Sequence, residues 1–146
     1  MTNEKDNIFY LCSLIEFTAR KTHNHRSTIV NLLGISGIKK QLHDAPVNHC
    51  LSFEQVSDEL IDTYNIKKGS FDTITNCRYK VPSFLSIGKL YSRIIFDCAS
   101  PGKEAEELLK LFNSFISDDI SDFSNGLYYE SPSYLNCSYK SGKLLN

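Results

Sequence analysis

The stretch Val81 to Cys98, VPSFLSIGKLYSRIIFDC, constrains the fold most, because it is the longest segment with two distinct faces. Phe84, Ile87, Gly88, Tyr91, Ile94, Ile95 and Cys98 recur at helical spacing, and Ser86, Lys89, Arg93 and Asp97 fall on another side. The pattern predicts an amphipathic helix, with Pro82 at its first position, where a fixed φ and a missing N–H suit a helix start. Gly88 lies on the apolar stripe, so another backbone, that of the first helix, can approach closely there. From Lys89 onward, Leu90, Ile94, Phe96 and Cys98 also alternate against Lys89, Arg93 and Asp97, which leaves a strand over residues 89–98 as the alternative.

Other segments supply the partners of such a helix. Asn7 to Lys21 carries a stripe of Ile8, Leu11, Cys12, Ile15 and Ala19, widened almost around the cylinder by Phe9, Tyr10, Leu14 and Phe17. A helix this apolar is sandwiched between other elements or lies at a subunit interface. Asn24 to Leu33 reads as a second helix ended by Gly34, with a short turn over Ile38 to His43 before Pro46. Ser52-Phe-Glu-Gln55 is a capping-box pattern opening a helix with Phe53, Val56, Leu60, Ile61 and Tyr64 on one face. Thr73 to Val81 alternates weakly, as a strand would. Ser100-Pro101 reads as the start of a helix through Ala105, Leu108, Leu109, Phe112, Phe115 and Ile116, with Glu106 and Lys110 spaced for an i,i+4 pair. Ser117 to Gly126 reads as an acidic, Ser-rich connector, and Leu127 to Tyr139 as a small hairpin around Pro132.

The expected fold class is therefore mainly α, a compact helical bundle with a small β-hairpin near the C-terminus, or α+β if residues 89–98 form a strand. Ile66 to Gly69 divides the chain into an N-terminal helical domain, residues 1–69, and a C-terminal lobe, residues 70–146, packed on the first. A chain of 146 residues can bury a core without metal or disulfide support. A formal charge of −1 supplies no overall field toward nucleic acid or an anionic membrane. Cys12, Cys50, Cys77, Cys98 and Cys137 are odd in number and never in a Cys-x-x-Cys arrangement, which points to a reducing, cytoplasmic setting. No segment offers a clean apolar span, so neither secretion nor membrane insertion is expected.

No residue constellation identifies a chemistry. His23, His25, His43 and His49, with Cys50, match no metal-ligand spacing, and the expectation is no metal and no cofactor. Arg20, Lys21, Arg26, Lys39 and Lys40 make residues 20 to 43 locally basic, the basis for a DNA-binding regulator as one alternative. A small metal- or cysteine-dependent enzyme is the other, with no catalytic residue to name. The aromatic tail is more informative. Tyr128, Tyr129, Tyr134 and Tyr139 crowd a Ser-rich segment, and tyrosine is enriched where proteins dock on one another. With Asp118, Asp119 and Asp122 they form the expected partner-binding set.

The first half, from Asn7 to Ile66, resembles a family of small bacterial helical domains of unknown function, number 3791 in that series. The resemblance lies in IFYLCSLIEF, STIVNLLG, the Leu42-His43 pair and FEQVSDELIDTY. Such domains tend to be encoded beside toxin-like proteins, including ones resembling ADP-ribosyltransferases. The resemblance implies an antitoxin or regulatory partner and no catalytic residues. The expected function is a non-enzymatic protein-binding module, antitoxin- or immunity-like, that neutralises a partner enzyme by covering its active surface, with nucleic acid not the expected ligand and a homo-oligomer compatible. Deleting residues 127–146 is then expected to abolish binding while the remainder stays folded.

Overall fold

The computed structural model describes residues 4–145; the outermost residues of the two expected lobes, 1–3 and 146, lie outside it. Among the described residues there are seven α-helices, a 3-10 turn and no strand. The first helix, α1 (Glu4–Thr22), is the axis of the fold. Ile8, Leu11, Cys12, Leu14, Ile15 and Ala19 are all buried, and so are Ser13, Glu16 and Thr18, so only its ends meet solvent freely. The near-continuous apolar surface expected for this helix is covered by three neighbours, α2 (Arg26–Asn48), α3 (Phe53–Thr63) and α4 (Phe84–Cys98).

α4 is the stretch that dominates the sequence, and it is helical throughout, so the strand alternative over residues 89–98 does not hold. Ile87, Gly88, Tyr91, Ile94 and Ile95 face the core. Gly88 performs the expected role. A Cβ built on it would fall 2.7 Å from both the Cα and the backbone N of Ser13, so α4 lies on α1 at a distance only glycine permits. The helix start differs by two residues from the expected one. Ser83 is the N-cap, its Oγ accepting from Ser86 N at 3.0 Å, and Pro82 stands just outside, where its carbonyl accepts from Arg20 Nη2 at 2.8 Å.

α2 departs further from expectation. The backbone breaks from helical geometry at Gly34 (φ 67°, ψ 175°), as a stop signal there suggests, but the helix resumes at once and runs through the expected short turn and past Pro46 to Asn48. Ser52 caps α3 as expected, with Gln55 N donating to its Oγ at 3.0 Å. The segment 73–81 is not a strand: the Asp72 carboxylate takes the N–H groups of Ile74 (2.9 Å) and Thr75 (3.1 Å), which a ladder would need.

Among the described residues the regular elements of the last part of the chain are all helical. Gly102, at φ 80°, prevents Ser100-Pro101 from opening a helix, and α5 (Glu104–Asn113) begins beyond it. The expected Glu106–Lys110 pair does not form; Glu106 pairs with Lys39 at 3.1 Å, and Lys110 Nζ sits 5.7 Å from the centre of the Tyr139 ring. The acidic connector contains a helix, α6 (Phe115–Ser121). The expected hairpin is replaced by a 3-10 turn, Leu127–Tyr129, and by α7 (Pro132–Ser141). Ser131 caps α7 by accepting from Tyr134 N at 3.2 Å, Pro132 opens it, and Gly142 closes it at φ 80°. One hydrophobic core runs from Ile8 to Tyr139 and takes side chains from every helix.

Candidate functional site

The basic stretch of the N-terminal half is neutralised where it stands. Arg26 is buried and grips Glu16, Nε to Oε1 at 2.8 Å and Nη2 to Oε2 at 2.5 Å. Arg20 Nε donates to the same carboxylate at 2.7 Å. Burial is the largest influence on Glu16 and favours its neutral form, but Arg26 and then Arg20 together outweigh it and hold the carboxyl below its ordinary range. Lys21 lies 2.5 Å from both Glu54 and Asp58, and Lys40 lies 2.7 Å from Asp44. With Lys39 on Glu106, every cation of this stretch has an acid.

The histidines are equally dispersed. His25 Nδ1 lies 2.9 Å from Asp118 Oδ1 and its ring stacks on Phe71, whereas His43 Nδ1 is 3.2 Å from Asp44. His49 Nε2 and Cys50 Sγ are 4.0 Å apart on the surface. Among the described residues no group of three or more His, Cys, Asp or Glu side chains could hold a metal ion.

The expected partner-binding residues point to different neighbours. Asp118 is engaged by His25, and Asp122 accepts from Ser124 N at 3.1 Å. Asp119 is partly buried, and burial with the charges of Asp118 and Asp122 raises its pKa. Tyr139 belongs to the core, its hydroxyl donating to the Glu107 carboxylate. The Tyr134 hydroxyl donates to Leu145 O at 2.7 Å. Tyr128 donates to Lys80 O at 3.3 Å, and burial followed by its neighbour Tyr129 pushes its phenol up to about 12. Of the four tyrosines only Tyr129 is open, with 74% of its surface exposed.

Tyr128 and Tyr129 form one wall of a cleft of about 540 Å³. The rest of its lining comes from α4 and from the segment Lys80–Pro82 that precedes it. Lys80, Lys89 and Arg93 all line it. Among the described residues none of these three cations forms an ion pair. Asp97, one turn beyond Arg93, is taken by Asn136 Nδ2 at 2.7 Å. The two tyrosine rings are 4.0 Å apart between centroids and tilted by 36°, and most of Tyr129 stays open to solvent. The apolar spacing along α4 identifies Lys89 and Arg93 only as a solvent face. The available signal is a longer one: from Thr73 to Phe96 the chain carries Arg78, Lys80, Lys89 and Arg93 and no acid at all.

A second cleft, of about 530 Å³, lies between α1, the end of α2, α3 and α4. Phe9, Tyr10, Phe53 and Leu85 make it apolar, and it gathers no set of like charges. No helix among the described residues is long and apolar enough to cross a membrane. No protein-family model matches the chain, and neither the curated proteins nor the solved structures contain a significant match to it.

Proposed function

We propose that the chain is a non-enzymatic binding protein whose docking face is the α4 cleft and whose partner is anionic. The observation that carries this reading is the convergence of Lys80, Lys89 and Arg93, without acid partners, on one cleft beside an open tyrosine. Desolvated by a partner and paired with its acids, such groups set orientation and on-rate. An antitoxin- or immunity-like role, in which the chain covers the active surface of a partner enzyme, rests on the family resemblance. It requires an enzyme with an acidic surface, the reverse of the charge that Asp118, Asp119 and Asp122 would meet.

Retention on an immobilised polyanion such as heparin tests the face directly. Wild-type protein is expected to be held at about 50 mM salt and released as salt rises. The triple variant Lys80→Glu, Lys89→Glu, Arg93→Glu is expected to flow through. Lys39→Glu with Lys40→Glu, which removes cations that already have acids, should elute close to wild type. A triple variant that elutes with the wild type overturns the proposal.

A further inference from the structure

The geometry points to a single-stranded nucleic acid as the occupant of the α4 cleft, held by its phosphates on Lys80, Lys89 and Arg93 and by a base stacked on Tyr129. This rests on the reading of the cleft as the docking face and names the class of its ligand. Two features of the cleft lining carry it. Lys89 and Arg93 are one helical turn apart on the exposed side of α4, and Lys80 lines the same cleft. Tyr129, in the same lining, offers an exposed ring that touches Tyr128 at 4.0 Å between centroids with the planes tilted by 36°. An acidic peptide would use the cations and leave that ring idle. A duplex would offer phosphates but keep its bases in their own stack. A single strand supplies both an anion and a planar, exposed base in each repeat, the pairing on which stacking platforms in charged grooves operate.

Tyr129 lies outside the core, so its ring can meet a ligand without repacking the fold, and no acid on α4 before Asp97 opposes the phosphates. Recognition of this kind tolerates any base, because every base has a π-face.

Fluorescence anisotropy of the full chain tests the assignment with four probes: labelled oligo(dT) and oligo(dA) of about twelve nucleotides, within the usual site sizes of such grooves, their duplex, and polyglutamate. Both single strands are expected to bind with a salt slope of about −2, from about −0.7 for each of three phosphate contacts. Lys89→Glu with Arg93→Glu should weaken binding by about tenfold or more, with the slope falling toward about −0.7. Tyr129→Ala should weaken it by about 5- to 150-fold, the range for loss of one stacked base, while Tyr129→Phe retains it. All these side chains are exposed, and matching thermal midpoints will show that the variants fold. If polyglutamate binds as tightly and Tyr129→Ala changes nothing, the ligand is an acidic polypeptide and this inference fails while the docking face stands. Equal binding of the duplex also overturns it. If the wild type binds no polyanion at all, the docking face itself is wrong.

Discussion

At Gly88 the distance between two helices is set by a missing side chain. The neighbouring atoms are Ser13 Oγ and, just behind it, the Cα and N of the same residue, and that backbone cannot swing aside as the tip of a flexible side chain could. Alanine would gain about 1 kcal/mol of helix propensity, yet it must push α4 away from α1 along their longest contact. Overpacking of this kind costs about 1–3 kcal/mol and here outweighs the propensity gain. Gly88→Ala is therefore expected to lower the urea midpoint with an unchanged denaturant slope. A midpoint at or above that of the wild type would show that α4 can shift at no cost. The same residue scale explains the two tyrosines that sequence spacing groups together and the fold separates: Tyr129 ends a 3-10 turn and is open, and Tyr139 lies on the inner face of α7. Local composition is identical in kind for both, and burial is decided by which helix the chain forms around them.

Between elements, the strongest polar link is the Glu16 carboxylate on α1, shared by Arg26 on α2 and by Arg20 on its own helix. Glu16→Gln keeps one acceptor oxygen but removes the negative charge, which leaves Arg26 an uncompensated buried cation whose other contact, to Asn24 O, is long at 3.4 Å. Glu16→Gln is expected to cost about 3–5 kcal/mol, whereas replacing Glu16 and Arg26 together by Leu and Met should cost much less. Urea denaturation of both variants measures the difference; equal losses would show that the unpaired Arg26 charge carries no burial penalty. The pH dependence follows from the same linkage. The folded Glu16 carboxyl sits below its ordinary value of 4.5, so its contribution is complete above that value and is lost as pH falls through the lower folded one. Stability of the wild type should fall on acidification over that window, and Glu16→Gln should flatten the fall. Much of α1 and α4 was legible from the apolar period, and α3 from the apolar period together with its Ser52 cap. The pairing of Arg26 was not, since spacing along a chain does not reveal which acid a second helix will place beside it. Nor was α7, where loose alternation suggests strands while Ser131, Pro132 and Gly142 already mark both ends of a helix.

For the molecule as a whole, the consequence concerns the tail beyond Gly126. Read as an appended hairpin, it could be removed and leave a folded remainder. Instead Leu127, Leu135 and Tyr139 are core residues, and α7 packs against α4 and α6. Full burial of such side chains is worth about 1.5–3 kcal/mol each. Removing all three, together with the Glu107 contact of Tyr139, approaches the whole of a small domain's stability of about 5–15 kcal/mol. A chain truncated after Gly126 is expected to lose cooperative unfolding and to expose the inner face of α4, measured as a broadened thermal transition and increased binding of a hydrophobic dye. A sharp transition near the wild-type midpoint would refute this and make the tail a true appendage. Loss of ligand binding by the truncated chain cannot therefore locate the binding face, because it follows from unfolding alone. Tyr129→Ala separates the two effects: the side chain lies outside the core, so its loss should leave the midpoint in place and lower the affinity at the cleft.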